Sequence, residues 1–180
     1  DNWSKENETH LNLYSDRSYY YVNVDGTDGK RIGLMPQPSA GFTLNLTTFD
    51  DYQFHEVDLT NIGRLGRVWF GENFNIDDEQ TFDFNFPNIV ASSPAKVTVH
   101  TGGNSFVDTS FSIAVNALNI GTINLPEVNL NSGTEASHGS IVSNVPGATN
   151  FNVKLTYNNN GVPTSKGYLD YISISCKSNL

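Results

Sequence analysis

The sequence predicts an all-β chain, a jelly-roll-like antiparallel sandwich with an extra hairpin region at its N-terminal end. Three observations carry this. Apolar residues alternate with polar ones at a period of two in several segments. Gly, Asn, Asp and Pro clusters punctuate those segments. No stretch carries a sustained apolar stripe at helical spacing.

The alternating segments come in order. Phe42, Leu44 and Leu46 alternate with Thr43, Asn45 and Thr47. Phe82, Phe84 and Phe86 alternate with Asp83 and Asn85, and Val97 and Val99 flank Thr98. Phe111, Ile113 and Val115 flank Ser112 and Ala114; Phe151, Val153, Leu155 and Tyr157 flank Asn152, Lys154 and Thr156. Each reads as a strand with one buried and one solvated face, because successive side chains point to opposite sides of a sheet. Tyr19-Tyr20-Tyr21-Val22 reads as a further, aromatic strand. Turns are expected at Asp25-Gly26, Asp28-Gly29, Gly102-Gly103, Asn131-Ser132-Gly133, Pro146-Gly147 and Asn158-Asn159-Asn160-Gly161. About ten to twelve strands at roughly 8–14 residue spacing fit one sandwich. Residues 80–176 are expected to form its regular core, and residues 1–79 to extend or cover it, in one domain over 1–180.

The last strand has a parity conflict. Tyr168, Asp170, Ile172 and Ile174 would share one face of a regular strand, which would bury the Asp170 carboxylate with the isoleucines. A buried carboxylate needs donors or a partner. The expectation is a bulge that shifts the register at Asp170, or a turn that Asp170 anchors at the rim.

The chain of 180 residues carries ten Lys and Arg against nineteen Asp and Glu, a formal net charge of −9. Polyanion binding needs clustered cations, so nucleic acid is excluded as a partner. No apolar run reaches membrane-spanning length, and no direct membrane insertion is expected. The single Cys rules out an internal disulfide.

The densest motif is Gly66-Arg67-Val68-Trp69-Phe70-Gly71-Glu72, which follows a His55-Glu56-x-Asp58 cluster. Aromatic bulk, a permissive Gly and an Arg–Glu pair suit a rigid, aromatic-anchored hairpin, here the Trp69 hairpin. On one strand Glu56 and Asp58 share a face and His55 points away, so the three do not converge on a metal. Pairing of Glu56 or Asp58 with Arg64 or Arg67 is the favoured reading. Tyr19, Glu56, Asp58, Arg67, Trp69, Gly71, Glu72 and Asp170 are the structural motif residues. No cofactor is expected; Asp25 and Asp28 are calcium candidates whose Asp-Gly turns read first as hairpin signals, and the acidic Asp77-Asp78-Glu79 loop reads as a solvated turn before a cation site.

Catalysis is not expected. Cys176 sits at the exit of a strand between Ser175 and Lys177, whereas a nucleophilic Cys needs a base within reach and an activating turn or helix end. His10, His55, His100 and His138 have no such relation to it in the pattern, and Ser137-His138-Gly139-Ser140 reads as a loop or strand edge. Tyr19, Tyr20, Tyr21, Tyr52, Trp69 and Tyr157 are candidates for a sugar-stacking platform.

Four blocks together resemble the N-terminal, non-catalytic β-sandwich region of PorU-like type IX secretion sortases, members of the gingipain family of cysteine peptidases. They are Asn12 to Tyr20; Phe49 to Asp58 with Asn61 and Gly66 to Glu72; Phe82 to Pro87; and Tyr168 to Ile174. Cys176 and Ser178 depart from that family, where an aromatic and a basic residue would stand. The resemblance implies a secreted Bacteroidetes protein in the periplasm or at the cell surface, associated with the outer membrane. Its parent would remove C-terminal signals from cargo and attach the cargo to the surface, with a Cys–His catalytic domain following residue 180. That domain, secretion-system subunits and cargo C-terminal domains are the implied partners. The alternative is a carbohydrate-binding module of jelly-roll type.

Overall fold

The computed structural model describes residues 3–4, 9–10, 19–24, 26, 28–36, 41, 44–62, 68–129, 131, 133 and 135–180. The chain divides into two compact units, Asp1–Asn45 and Leu46–Leu180. In the first, β1 (Trp3–Ser4) and β2 (Thr9–His10) pair antiparallel, Trp3 opposite His10. Residues 19–22, expected as an aromatic strand, form none, and Tyr19, Tyr20, Tyr21 and Val22 are exposed. Three successive tyrosines lack the polar alternation that would commit one side to a core.

The second unit contains β3 (Thr48–Glu56), β4 (Asn73–Phe74), β5 (Glu79–Asn85), β6 (Ala95–Asn104), β7 (Thr109–Val115), β8 (Leu118–Leu125), β9 (Ser137–Val145), β10 (Asn150–Asn158) and β11 (Lys166–Asn179). One sheet has the order β5-β10-β7-β8; the other has the order β3-β11-β6-β9, with β4 added on β11. All pairings are antiparallel. Setting β4 aside, the chain changes sheet at every connection but β7–β8. Two Greek keys so interleaved make a jelly roll, the predicted fold class.

The exception is a hairpin whose two loop residues, Asn116 and Ala117, have φ of 48° and 66°. Positive φ at both positions gives a turn whose twist matches that of the flanking strands. Asn116 is tied to β10: its side-chain amide donates to the Asn150 carbonyl, and its side-chain oxygen accepts from the Asn152 N–H.

The predicted alternations at 82–86, 97–99, 111–115 and 151–157 supply the core. Val97 and Val99 of β6, Phe111, Ile113 and Val115 of β7, and Phe151, Val153, Leu155 and Tyr157 of β10 meet Leu169, Ile172 and Ile174 of β11. Phe74 meets Phe111 edge-on at 5.0 Å, and Phe86 meets Phe151 at 5.8 Å. Two expectations fail. Leu44 to Thr47, the described part of the 42–46 alternation, form no strand, and Leu44 and Leu46 are exposed; Phe42 lies outside the described residues. Gly102-Gly103 is not a turn but lies within β6. A Cβ on Gly102 would stand 2.3 Å from the Phe70 ring, so the glycine is needed for close approach rather than for turning.

Candidate functional site

Two segments share one edge of β11. β3 pairs with its second half, from Tyr171 opposite Glu56 to Asn179 opposite Thr48. The chain then leaves the edge and returns: Phe70 exchanges backbone hydrogen bonds with Thr60, the Gly71 N–H donates to the Leu169 carbonyl at 2.7 Å, and the Leu169 N–H donates to the Glu72 carbonyl at 3.0 Å. β4 completes the edge opposite Gly167 and Tyr168. Gly71 is confined: a Cβ there would lie 2.7 Å from the Val57 carbonyl oxygen.

Between the two pairings β11 has a bulge. Leu169 faces Thr101 of β6, Tyr171 faces His100, and Asp170 is the extra residue. The parity conflict at Asp170 is resolved by the first of the two expected routes. Leu169 before the bulge and Ile172 and Ile174 after it all reach the core. The Asp170 carboxyl is pushed up to about 6, chiefly by burial and then by the charges of Glu56 and Asp58. Glu56 is itself raised, by burial and then by Asp58. The structure thus gathers Glu56, Asp58 and Asp170 around the bulge as mutually repelling carboxylates. Arg64 and Arg67, the expected partners, lie outside the described residues, as does Asp25.

Glu72 Oε1 lies 2.7 Å from His55 Nε2; Arg67, the partner that the motif suggests, lies outside the described residues. His55 shares the inward side of β3 with Ile172 opposite, and its ring packs on Phe82 at 4.8 Å. This places the imidazole away from Glu56, as strand parity requires.

Within the Trp-Phe pair, Phe70 is the buried ring at 1% exposure, while Trp69 is 46% exposed. Phe70 lies on Gly102 on the outer face of the five-stranded sheet, between His138 at 5.5 Å and Tyr168 at 5.7 Å. Desolvation there lowers the His138 pKa and raises that of Tyr168. Phe70 lies in the Gly66–Glu72 run but is not among the structural motif residues chosen from it, and Gly102 and His138 are absent from the motif altogether. Adjacency in sequence does not say which of two aromatics faces the sheet, and the other two residues become neighbours only through the register of β6 and β9.

Cys176 points between the sheets opposite Asp51 and is buried. Burial first of all raises its thiol pKa, opposing thiolate formation. His138 sits on the outer face under Phe70, and His100 stacks on Tyr171 at 4.4 Å. Cys176 therefore has neither of these imidazoles as a base. Among the described residues no three His, Cys, Asp or Glu side chains converge as metal ligands.

Below the Phe70 cover the outer face is ordered in rungs. One rung runs Glu56, Tyr171, His100, Ser140; the next Phe54, Ser173, Thr98, Val142; the next Tyr52, Ser175, Lys96, Asn144. Tyr52 and Phe54, on the edge strand, are 57% and 61% exposed with ring centroids 6.0 Å apart. Tyr157, another platform candidate, is instead in the core, 3% exposed beside Phe111. Tyr19, Tyr20 and Tyr21 belong to the first unit and are exposed.

No protein-family model matches this chain, and no curated protein matches it. Among solved structures, dimeric latent PorU from Porphyromonas gingivalis is similar over 75% of this chain, with TM-score 0.63 and 15% identity; the match spans 13% of the PorU chain. A CBM36 carbohydrate-binding module in complex with calcium and xylotriose gives TM-score 0.41 at 17% identity, over 71% of this chain and 98% of that one. CBM35 from Cellvibrio japonicus Abf62 gives 0.42 at 16% identity, over 68% and 83%. At such identities the PorU likeness is one of fold.

Proposed function

We propose that this chain is a non-catalytic structural and interaction domain of a PorU-like type IX secretion sortase, outside the cytoplasm and associated with the outer membrane. It positions the peptidase domain of its parent and offers surface to secretion subunits or cargo. The observation that carries this reading is the PorU fold similarity over 75% of the chain. The motif blocks in residues 12–20, 49–72, 82–87 and 168–174 point to the same family, and the buried Cys176, its thiol pKa raised by burial, supports a role without covalent chemistry. The test mixes this chain with the separately produced peptidase domain of its parent. Complex formation and a raised melting temperature of the peptidase domain are expected; no complex and no change in its stability or activity overturn the positioning role.

A second reading, a carbohydrate-binding module, is favoured by one observation, the exposed Tyr52–Phe54 ring pair on the outer face of β3. Flat rings at this spacing suit the apolar faces of sugars.

A further inference from the structure

The outer face of β3-β11-β6-β9 has a polarity gradient that the outer face of the other sheet lacks. On that other sheet the outward positions of β5 and β10 pair with each other: Lys154 with Glu79 at 3.0 Å and Asn152 with Asp83 at 2.8 Å. On the β3 side the outward aromatics stand at the edge; on the Phe54 rung Ser173 and Thr98 are buried among their neighbours, whereas on the Tyr52 rung the short Ser175 is partly accessible. Beyond Tyr52 on the same rung lies a groove of about 230 Å³ lined by Asp50, Pro94, Lys96, Asn144, Ser175, Cys176 and Lys177. Lys177 is neutralised by Asp50 at 2.7 Å. Lys96 is exposed and has no carboxylate at ion-pair distance among the described residues. A chain of net charge −9 thus presents a local excess of positive charge at one point of this face, beside its ring pair.

We propose that this face binds a saccharide bearing an acidic group, its sugar rings on Tyr52 and Phe54 and its anion on Lys96, with Ser175 and Asn144 as hydrogen-bonding neighbours in the groove. Two physical terms select this occupant. The rings favour the C–H face of a pyranose over an extended peptide backbone, whose polar groups they leave unsatisfied. One strand, β11, lies between Tyr52 and Lys96; the two inter-strand spacings come to roughly 10 Å in Cα positions, which a sugar on Tyr52 and its charged substituent span together with the lysine side chain. Nucleic acid is disfavoured because this face offers, among the described residues, one unpaired lysine rather than the row of cations that a phosphate backbone needs. The inference rests on the saccharide reading of this face and is independent of the sortase reading.

The test is calorimetric titration of the whole chain at low salt with tetragalacturonate, its fully methyl-esterified form, a sulfated chondroitin tetrasaccharide and mannose 6-phosphate. Expected is saturable binding of at least one acidic sugar. For a carboxylate ligand, esterification weakens it about tenfold or more. Lys96→Gln should bring the acidic ligand down to the affinity of the neutral one, and Tyr52→Ala should abolish both. Lys154→Gln, on the opposite sheet, should change nothing. Unaltered circular dichroism shows that the variants fold. Equal affinity for ester and acid, unaltered by Lys96→Gln, overturns the acidic-sugar inference while leaving a saccharide site. Absence of binding to all four, or binding indifferent to both Lys96→Gln and Tyr52→Ala, overturns the site altogether.

Discussion

Gly102→Ala is the most informative single perturbation of the β11 edge. Its Cβ would lie 2.3 Å from Phe70 Cε1 and 2.4 Å from Cζ. Carbon atoms in contact sit about 3.5–4.0 Å apart, so the ring must lift by roughly 1 Å. Beneath it is β6 backbone, which cannot recede, and lifting separates Phe70 from His138 and Tyr168. Overpacking of this kind costs about 1–3 kcal/mol, and complete expulsion of a buried Phe would set a ceiling of about 3–5 kcal/mol. Ala gains about 0.5–1 kcal/mol over Gly in a strand, so the net loss should be about 0–2.5 kcal/mol. Urea unfolding followed by fluorescence measures it, with unchanged slope and a lower midpoint. The decisive comparison is a cycle with Phe70→Ala. In that background Gly102→Ala should be neutral or slightly stabilising, giving a coupling of at least about 1 kcal/mol. Equal cost in both backgrounds would refute the close approach of Phe70 to β6.

Three further outcomes follow from the geometry. Asp170→Asn should stabilise the fold at neutral pH. The native carboxyl titrates near 6 against an ordinary 3.8, so between these values the native state binds more protons and wild-type stability rises as pH falls through 6. The full shift corresponds to about 3 kcal/mol, and partial solvent screening reduces the expected gain to about 1–2 kcal/mol at pH 7, vanishing below pH 4; thermal melts from pH 4 to 8 should show the variant without this slope. Ala117→Gly should stabilise by about 0.5–1 kcal/mol, because φ of 66° strains Ala more than the extra chain entropy of Gly costs; a lower urea midpoint would contradict the left-handed assignment. Cys176, buried with a raised pKa, should react with iodoacetamide slower in the native chain than in urea by a factor on the order of 10³; comparable rates would mean an accessible thiolate and would reopen covalent chemistry.

Much of the sandwich was legible in the sequence because β5, β7 and β10 each have one dry and one wet face, which writes the period of two into the chain. The bulge was legible for the same reason: Asp170 broke a parity that the isoleucines after it required, and only an extra residue restores it. Glycine misled at Gly102, since a sequence does not distinguish a glycine that turns the chain from one that admits a neighbouring ring. Alternation alone misled at Leu44 and Leu46, which meet no core. At the candidate site, Glu56, Asp58 and Asp170 were singled out, and the topology brings them together around the bulge. The His55–Glu72 contact and the seat of Phe70 were not foreseen, because both depend on a chain return whose register no local pattern encodes. The rungs joining Tyr52 to Lys96 are invisible until the β3-β11-β6-β9 order is known.

The central structural claim is that residues 70–74 are an integral part of the β11 edge, a scaffold rather than a loose loop over a reaction centre. Native-state hydrogen exchange at the amides of Gly71 and Leu169 tests it most directly, since each donates across that edge. Protection approaching that of Val153 and Ile172 in the sheet interiors is the predicted result. Exchange of Gly71 at the rate of an open loop, with Leus and valines of the core still protected, would contradict it.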